Sequence, residues 1–257
     1  MKLSAIILTK NGNDSKFKRA VESVKFADEV LVVKEKSSIN DFSGVRNRAL
    51  DRAKGEWVVF VDSDEIVTAE LKEEILYRFR IPPSLTDRLR ELFVHGSWSA
   101  IRRAGKSGMT GYKLRRQDRF LGKWLKYGET ANVRLLRLAK KDAGRWVRPV
   151  HEVWKVAGNV GELKNPLLHY SHDSIEGMVE KLDRYSGMEG EWRLGKLGRL
   201  GELGILIEMV LFPVGKFIQN YIFRLGFLDG MAGFIHAGMM SGHSFLVRAK
   251  ILNALMC

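Results

Sequence analysis

Three acidic residues stand within four positions, directly after an apolar run. The run is 57–61, and Asp62, Asp64 and Glu65 follow it. Carboxylates this close repel one another unless a cation or hydrogen-bond donors compensate. Asp62 and Asp64 can reach one ligand where the chain turns, and such oxygen ligands suit Mg²⁺ or Mn²⁺, which also hold substrate phosphates. The alternative is that the acids cap the next helix, which explains one of them well but three poorly.

An Asp-x-Asp motif after a strand also occurs in phosphohydrolases that form an aspartyl phosphate. There the motif usually ends the first strand, whereas two predicted strands precede Asp62 in this chain. This position disfavours the phosphohydrolase alternative.

Apolar strands and amphipathic helices alternate around these acids. The predicted strands are 3–8, 29–33 and 57–61, and the predicted helices begin after Asp14, after Asn40 or Asp41, and at Ala69. This alternation predicts an α/β fold with a mostly parallel sheet and helices on both faces. Ligands of such sheets bind at the carboxyl ends of the strands, where Asp62 is expected.

The pattern changes after Pro82-Pro83. Only short strands are predicted next, near 111–114 and 133–138, and Ser174 is predicted to cap a long helix. The length suits one catalytic domain with an appendage.

The net charge of +13 is concentrated in one segment. Residues 88–148 contain 17 Lys or Arg and only four Asp or Glu, so the rest of the chain is neutral overall. Such a block indicates an anionic partner, namely phosphate, nucleic acid or a membrane surface, although a solvated surface explains any single residue.

The basic segment also contains aromatic residues that would be able to stack on bases. They are Trp98, Tyr112, Phe120, Trp124 and Tyr127. A nucleic-acid-binding module is therefore a second hypothesis. It leaves the acidic cluster unexplained, because carboxylates repel phosphates without a metal, and no nucleic acid is expected as a partner.

The ends of the chain suggest where it resides. The single cysteine, Cys257, allows no disulfide within the chain, which is typical of a reducing compartment such as the cytosol. The first eight residues are predicted to form a buried strand rather than a signal peptide.

From Leu203 the chain is mostly apolar. Glu208, Lys216 and Arg224 interrupt the apolar residues, and Pro213 is expected to break the helix. No stretch reaches the roughly 20 uninterrupted apolar residues that span a bilayer. Amphipathic helices of this kind suit a membrane interface, and the alternative is packing on the core or on a second subunit.

The order and spacing of several motifs resemble the family 2 glycosyltransferases, in particular the branch with bacterial lipopolysaccharide-core glucosyltransferases. The matching segments are 3–11, 27–30, 46–50, 53–58, 62–65, 150–152, 169–171, Lys181 with Tyr185, and 217–233 with Leu228-Asp229-Gly230.

The resemblance implies a GT-A (Rossmann-like) fold and an inverting transfer of a sugar from a nucleotide-sugar donor. The catalytic domain would cover 1–190, with a nucleotide-binding half at 1–80 and an acceptor-side half at 84–170. Residues 191–257 would form a helical, membrane-associating C-terminal region. The implied acceptor is an anionic lipid-linked envelope glycan, and the implied location is the inner face of the cytoplasmic membrane.

The resemblance also implies roles for residues at the donor site. Thr9 and Asn11 would lie against the nucleotide base, and Asp62 would approach the ribose. Asp64 would bind the metal, Mg²⁺ or Mn²⁺, that bridges the diphosphate. Arg46 and Asn47 would lie near the donor, although Arg46 is nearly as well explained as a helix-surface cation.

Three further residues are candidates for catalysis or metal binding. Glu152 is the family-matched base that would deprotonate the acceptor hydroxyl, and Asp118 is the second candidate. The alternative for Glu152 is a salt bridge with His151 between Trp146 and Trp154. His169 is a candidate metal ligand, or a donor to one, and a structural histidine is the alternative.

One position departs from the family pattern. Lys34 stands where the family usually carries an Asp that helps to recognise the nucleobase. Either Glu35 substitutes for that acid or donor recognition differs. The departure supports a third hypothesis, a catalytically inactive GT-A-like scaffold.

Overall fold

The structure is a computed structural model that describes residues 2–9, 12, 14–34, 41–80, 108–148, 152–195 and 202–256. The strands are β1 (Leu3–Thr9), β2 (Glu29–Lys34), β3 (Trp57–Asp62), β4 (Glu65–Val67), β5 (Met109–Phe120), β6 (Lys123–Trp124), β7 (Arg134–Lys140), β8 (Gly144–Val147), β9 (Val153–Val156) and β10 (Asn159–His172). The α-helices are α1 (Ser15–Ser23), α2 (Phe42–Arg52), α3 (Ala69–Arg80), α4 (Ile175–Leu194), α5 (Glu202–Ile218) and α6 (Gly230–Met256).

The main sheet is mixed, with a parallel portion built from the first three strands. Its order is β2-β1-β3-β7-β5-β10-β4, and β6 pairs with β5. Strand β1 runs parallel to both β2 and β3, whereas β7 runs antiparallel to β3 and to β5. Strands β8 and β9 form a separate antiparallel pair.

Both faces of the parallel portion are covered. On one face Ala5 and Ile7 of β1 pack in a core with Leu71 and Ile75 of α3. On the other face Ile6 and Leu8 pack in a second core, which contains α2, Trp146 and Trp154. Side chains of a strand alternate between faces, so a wholly apolar strand fills two cores. The predicted α/β arrangement, with helices on both faces of the sheet, is confirmed.

The predicted helix starts are confirmed. The carboxylate of Asp14 accepts from the backbone of Phe17 at 2.6 Å, and that of Asp41 accepts from Gly44 at 2.9 Å. The hydroxyl of Ser174 accepts from Gly177 at 3.1 Å. Each bond satisfies an N–H that the first helical turn leaves unpaired.

Two predictions about elements were wrong. Strand β5 is twelve residues long rather than a short strand near 111–114. The predicted strand was too short because the second half of β5, 115–120, is made mostly of charged or polar residues and lacks the apolar pattern that marks a strand in the sequence. Pro213 does not end a helix, since α5 continues through it. Helix α5 packs on α6, and the Ser241 hydroxyl donates to the carbonyl of Pro213 at 2.6 Å, which ties this turn of α5 to α6.

The chain divides into two compact units. The first unit comprises residues 1–116 and 134–168, and the second unit comprises 117–133 and 169–257. These units are groupings by contact and are not the catalytic and C-terminal regions predicted from the sequence, whose boundary at residue 190 stays a prediction.

The second unit contains the apolar helices. Helices α4 and α5 both pack on α6. Within the described residues, one helical stretch, Gly204–Phe223, is long and apolar enough to cross a bilayer by length and composition, with a mean hydropathy of 1.3 and 11% of it buried. It includes Glu208 and Lys216, the charges that interrupt the apolar run in the sequence.

Candidate functional site

Three parallel strands bring candidate residues to one edge of the sheet. Thr9, the last residue of β1, is the register partner of Lys34, the last residue of β2. Leu8 is the register partner of Asp62, which ends β3. Thr9, Lys34 and Asp62 therefore meet at the carboxyl ends of adjacent strands, where α/β sheets bind ligands.

Asp62 is held by two arginines from different elements. Its Oδ1 accepts from Nη2 of Arg46 on α2 at 2.9 Å, and its Oδ2 accepts from Nη2 of Arg137 on β7 at 2.6 Å. Arg137 Nη2 also lies 3.5 Å from Glu65 Oε1. Guanidinium groups suit this task because they present several donors in a fixed plane.

The charges in this cluster shift the pKa values of its members. Burial alone would raise the pKa of Asp62, but the guanidiniums of Arg137 and Arg46 outweigh it and hold that pKa well below its usual value. Burial would lower the pKa of Arg137, but the carboxylates of Asp62, Glu65 and Glu152 raise it instead. The pair is therefore ionised throughout the physiological pH range.

Arg46 links Asp62 to the predicted base. Its Nε donates to Oε1 of Glu152 at 2.9 Å, and its guanidinium carbon lies 4.7 Å from the ring centre of Trp146. The Arg46 side chain is only 5% exposed. The helix-surface interpretation of Arg46 is therefore wrong, because the residue is buried between two carboxylates.

Asn47 holds α2 to β8. Its amide nitrogen donates to the carbonyl of Trp146 at 2.9 Å, and its carbonyl oxygen accepts from the N–H of Trp146 at 2.9 Å. These bonds give Asn47 a structural task, and its predicted contact with the donor stays a prediction.

The three predicted metal ligands differ in how well they fit a cation. Two guanidiniums contact the carboxylate of Asp62 and would repel a cation, so Asp62 does not fit the role of metal ligand in this arrangement. Asp64 is a partly exposed carboxylate and fits a Mg²⁺ or Mn²⁺ ion that takes its other ligands from phosphates and water. Among the residues that the structure describes, no group of three His, Cys, Asp or Glu side chains is placed to hold a metal ion.

Asp118 and His169 form a pair in the second unit. Nδ1 of His169 lies 2.7 Å from Oδ1 of Asp118, and the Asp118 side chain is almost fully buried. A carboxylate in this position fixes the orientation of an imidazole ring. The structure thus joins two residues that the sequence suggested for separate tasks, and both suggestions stay predictions.

Some candidates cannot be placed. Asn11, Glu35 and His151 lie outside the described residues, as does Trp98. Two of the proposed base-stacking aromatics, Tyr112 and Phe120, are buried in hydrophobic cores. The basic segment therefore does not present these two rings to a nucleic acid.

Arg137 is the residue of the site that the sequence did not reveal. It sits in the run Arg134–Lys140, where single basic residues among apolar ones are typical of a strand with one solvated face. Its partner Asp62 is 75 positions away in the chain. The only usable signal was the unmatched cluster of acids, which requires cations from elsewhere.

A family model matches the first third of the chain, and curated relatives match nearly all of it. Residues 5–90 match the model of the family described as glycosyl transferase family 2. An "uncharacterized glycosyltransferase" of Rickettsia bellii is 25% identical over 97% of this chain and 86% of the relative. A protein of the same description from Rickettsia felis is 24% identical over 99% of this chain and 91% of the relative.

Solved structures give more distant likenesses. The S. aureus TarS 1-349 structure has a TM-score of 0.40 and 12% identity, and it covers 98% of this chain and 88% of that one. The same TarS fragment in complex with UDP-GlcNAc has a TM-score of 0.37 and 11% identity, with coverage of 98% and 89%.

Proposed function

We propose that this glycosyltransferase, whose residues 5–90 match family 2, moves a sugar from a nucleotide-sugar donor to a lipid-linked envelope glycan with inversion. The observation that carries the proposal is the meeting of Thr9, Lys34 and Asp62 at the carboxyl ends of three parallel strands. A nucleoside diphosphate fits this edge, because Lys34 supplies a cation and the turn after Asp62 supplies Asp64. The choice of acceptor comes from the order of the motifs, which resembles that of the lipopolysaccharide-core branch.

A divalent cation would be held by Asp64 together with oxygens of the diphosphate. When bound, it neutralises the negative charge that develops on the leaving group. Asp62 has a different task in this proposal. Its two guanidinium partners keep it ionised, and each of its oxygens has a second lone pair that would accept a hydrogen bond from a ribose hydroxyl of the donor.

Glu152 is the proposed base that takes the proton of the acceptor hydroxyl. Its side chain remains 18% exposed, so part of the carboxylate is open to an incoming group. Arg46 touches both Glu152 and Asp62, which supports placing the acceptor side and the donor side of the reaction next to each other. Asp118 is less suitable, because it is nearly buried and paired with His169.

The proposed location is the inner face of the cytoplasmic membrane. The stretch Gly204–Phe223 is bound to the rest of the second unit along its length, through Glu208 to Arg248 at 3.1 Å and through Lys216 to Glu129 at 2.7 Å. Crossing a bilayer would place these charged groups in the hydrocarbon core, which is costly, so we favour a helix that lies in the interface. The apolar side chains that face outward from this region, each at least 40% exposed, are Leu206, Ile207, Val210, Leu211, Phe212, Val214, Ile218, Ile222, Phe223, Leu225, Phe227, Leu228, Met231 and Phe234.

The test is turnover with a panel of donors. Purified protein with Mn²⁺ and UDP-, GDP- or CDP-sugars is expected to release the nucleoside diphosphate slowly even without an acceptor. Asp64→Asn is expected to lower the rate at least about 100-fold, because it removes the direct ligand of the cation.

A matched control is Asp142→Asn, which makes the same change at an exposed position outside the site. This variant is expected to retain the wild-type rate. Absence of both turnover and nucleotide binding across the panel would contradict the proposed function, and measurable turnover would exclude an inactive scaffold.

A further inference from the structure

The turn from Asp62 to Glu65, which carries Asp64, is held closed by contacts between its two ends. Oε2 of Glu65 accepts from the backbone N–H of Asp62 at 2.9 Å, which folds the turn back on itself. Arg137 Nη2 then lies 2.6 Å from Asp62 and 3.5 Å from Glu65. The guanidinium of Arg137 therefore contacts both ends of the turn, Asp62 and Glu65.

The sheet fixes the backbone of Arg137, and the protein interior encloses its side chain. It precedes Leu138, which pairs with Val59 in the sheet, so β7 fixes its backbone beside β3. Its side chain is 6% exposed, and its guanidinium carbon lies 5.9 Å from the ring centre of Trp146. A buried guanidinium with so little freedom sets the position of the carboxylates that it binds.

Glu65 gives an independent reason to regard the arrangement as functional. Its carboxyl group is completely buried, and burying an ionisable group costs free energy that an apolar residue would not. An apolar residue would fill the same space, but it would not accept from Asp62 or pair with Arg137. The carboxyl group of Glu65 thus holds the turn in its shape.

We propose that Arg137 is a positioning residue that holds the turn from Asp62 to Glu65, and thereby presents Asp64 to a divalent cation shared with the donor diphosphate. This inference rests on the proposed function. Groups that orient a metal-binding carboxylate typically change metal affinity by 10- to 100-fold when they are altered. A lysine would keep the charge, but its ammonium sits on a flexible stem and lacks the planar guanidinium that lies 5.9 Å from the ring centre of Trp146, so it would hold the two carboxylates less firmly.

The experiment measures Mn²⁺ binding directly. Free Mn²⁺ is followed by electron paramagnetic resonance while it is titrated into protein with whichever of UDP, GDP or CDP the wild type binds. Arg137→Lys is expected to raise the dissociation constant of Mn²⁺ at least about tenfold. A dissociation constant equal to that of the wild type would overturn the inference.

The control is Arg134→Lys, the same substitution on the same strand. Arg134 is 41% exposed and pairs with Glu162 at 3.1 Å, away from the turn. This variant is expected to bind Mn²⁺ within about twofold of the wild type. If it weakened binding as much as Arg137→Lys, the effect would belong to the strand as a whole and the inference would fail.

A second variant separates positioning from folding. Glu65→Gln keeps an oxygen that accepts from Asp62 and removes the buried charge, so Arg137→Lys combined with Glu65→Gln leaves no carboxylate at position 65 to be stranded. The double variant is expected to have a melting temperature close to that of Glu65→Gln alone, yet to bind Mn²⁺ at least about tenfold more weakly. Equal Mn²⁺ binding by the two would show a purely structural role and overturn the inference.

The two proposals fail in different ways. Wild-type protein that binds no Mn²⁺ with any nucleotide of the panel refutes the proposed function, and the inference falls with it. Wild-type protein that binds, together with an unchanged Arg137→Lys variant, refutes the inference and leaves the proposed function standing.

Discussion

Lys34 is the residue of the proposed donor site that departs from the pattern of the resembling family. It ends β2 beside Thr9, and a Cβ placed on Gly12 would lie 3.4 Å from Cε and 4.0 Å from Nζ of Lys34. The ammonium group therefore lies next to the loop that leaves β1. A cation at this edge attracts phosphate, whereas the acid usual in the resembling family would accept hydrogen bonds from a base.

Replacing Lys34 tests which of these two tasks the position serves. Lys34→Asp is expected to weaken binding of the nucleoside diphosphate by about tenfold or more, because a charged hydrogen bond to phosphate is lost and a negative charge takes its place. Isothermal titration calorimetry with Mn²⁺ present measures the change. The control Lys155→Asp makes the same charge change at an exposed position on β9.

Tighter nucleotide binding by Lys34→Asp would contradict this expectation. It would instead indicate that the residue at this position contacts the base, and that the lysine weakens nucleotide binding relative to the aspartate usual in the resembling family.

Among the elements, local signals were predictable from sequence and distant pairings were not. Asp14, Asp41 and Ser174 cap helices through N–H groups three residues away, so their patterns are complete within one turn. The apolar runs of β1 and β3 likewise predicted strands buried on both faces. Asp62 and Asp64 were recognised as unusual for the same local reason.

The partners of Asp62 depend on pairing across the sheet. Arg137 reaches it only because β7 lies antiparallel beside β3, and the sequence contains no turn signal that fixes this register. Arg46 was expected near the donor, but its burial depends on Trp146, which is 100 positions later in the chain. The sequence therefore predicted that cations neutralise the acidic cluster, but it did not predict that Arg137 and the buried Arg46 supply them.

The joint between α2 and β8 is the element contact on which Arg46 most depends. Asn47, the next residue, exchanges two hydrogen bonds with the backbone of the buried Trp146. Trp146 stacks on Trp154 with ring centres 5.4 Å apart, and Arg46 lies over its ring. Loss of the Asn47 bonds would leave two backbone groups without partners.

Asn47→Ala is expected to lower the free energy of unfolding by about 2–3 kcal/mol, since two polar groups of a buried residue lose their hydrogen bonds. Urea denaturation followed by tryptophan fluorescence gives the value. Asn253→Ala, at an exposed position on α6, is the control and should change stability by no more than about 0.5 kcal/mol. A comparably small change for Asn47→Ala would mean that water replaces the amide and that the joint is not rigid.

At the scale of the whole molecule, the chain combines a positive net charge with exposed apolar surface. The chain has a net charge of +13, and its second unit exposes a run of large apolar side chains between Leu206 and Phe234. Exposed apolar patches of this kind mark interaction sites. The proposed partner is an anionic lipid surface, whose head groups would attract the basic chain and whose acyl region would accept the apolar side chains.

Flotation of the full chain with vesicles tests this partner. The protein is expected to float with vesicles that contain phosphatidylglycerol and to float less with purely zwitterionic ones, because attraction to anionic head groups is lost. Val210→Ser with Phe223→Ser, at positions 59% and 78% exposed, is expected to reduce binding about tenfold through the lost apolar contact.

The paired control is Tyr77→Ser with Val179→Ser, which removes exposed apolar side chains elsewhere and should float like the wild type. A chain that stays unbound to every vesicle and sediments as a stable dimer would contradict the lipid partner, and would assign the apolar surface to a second copy of the protein.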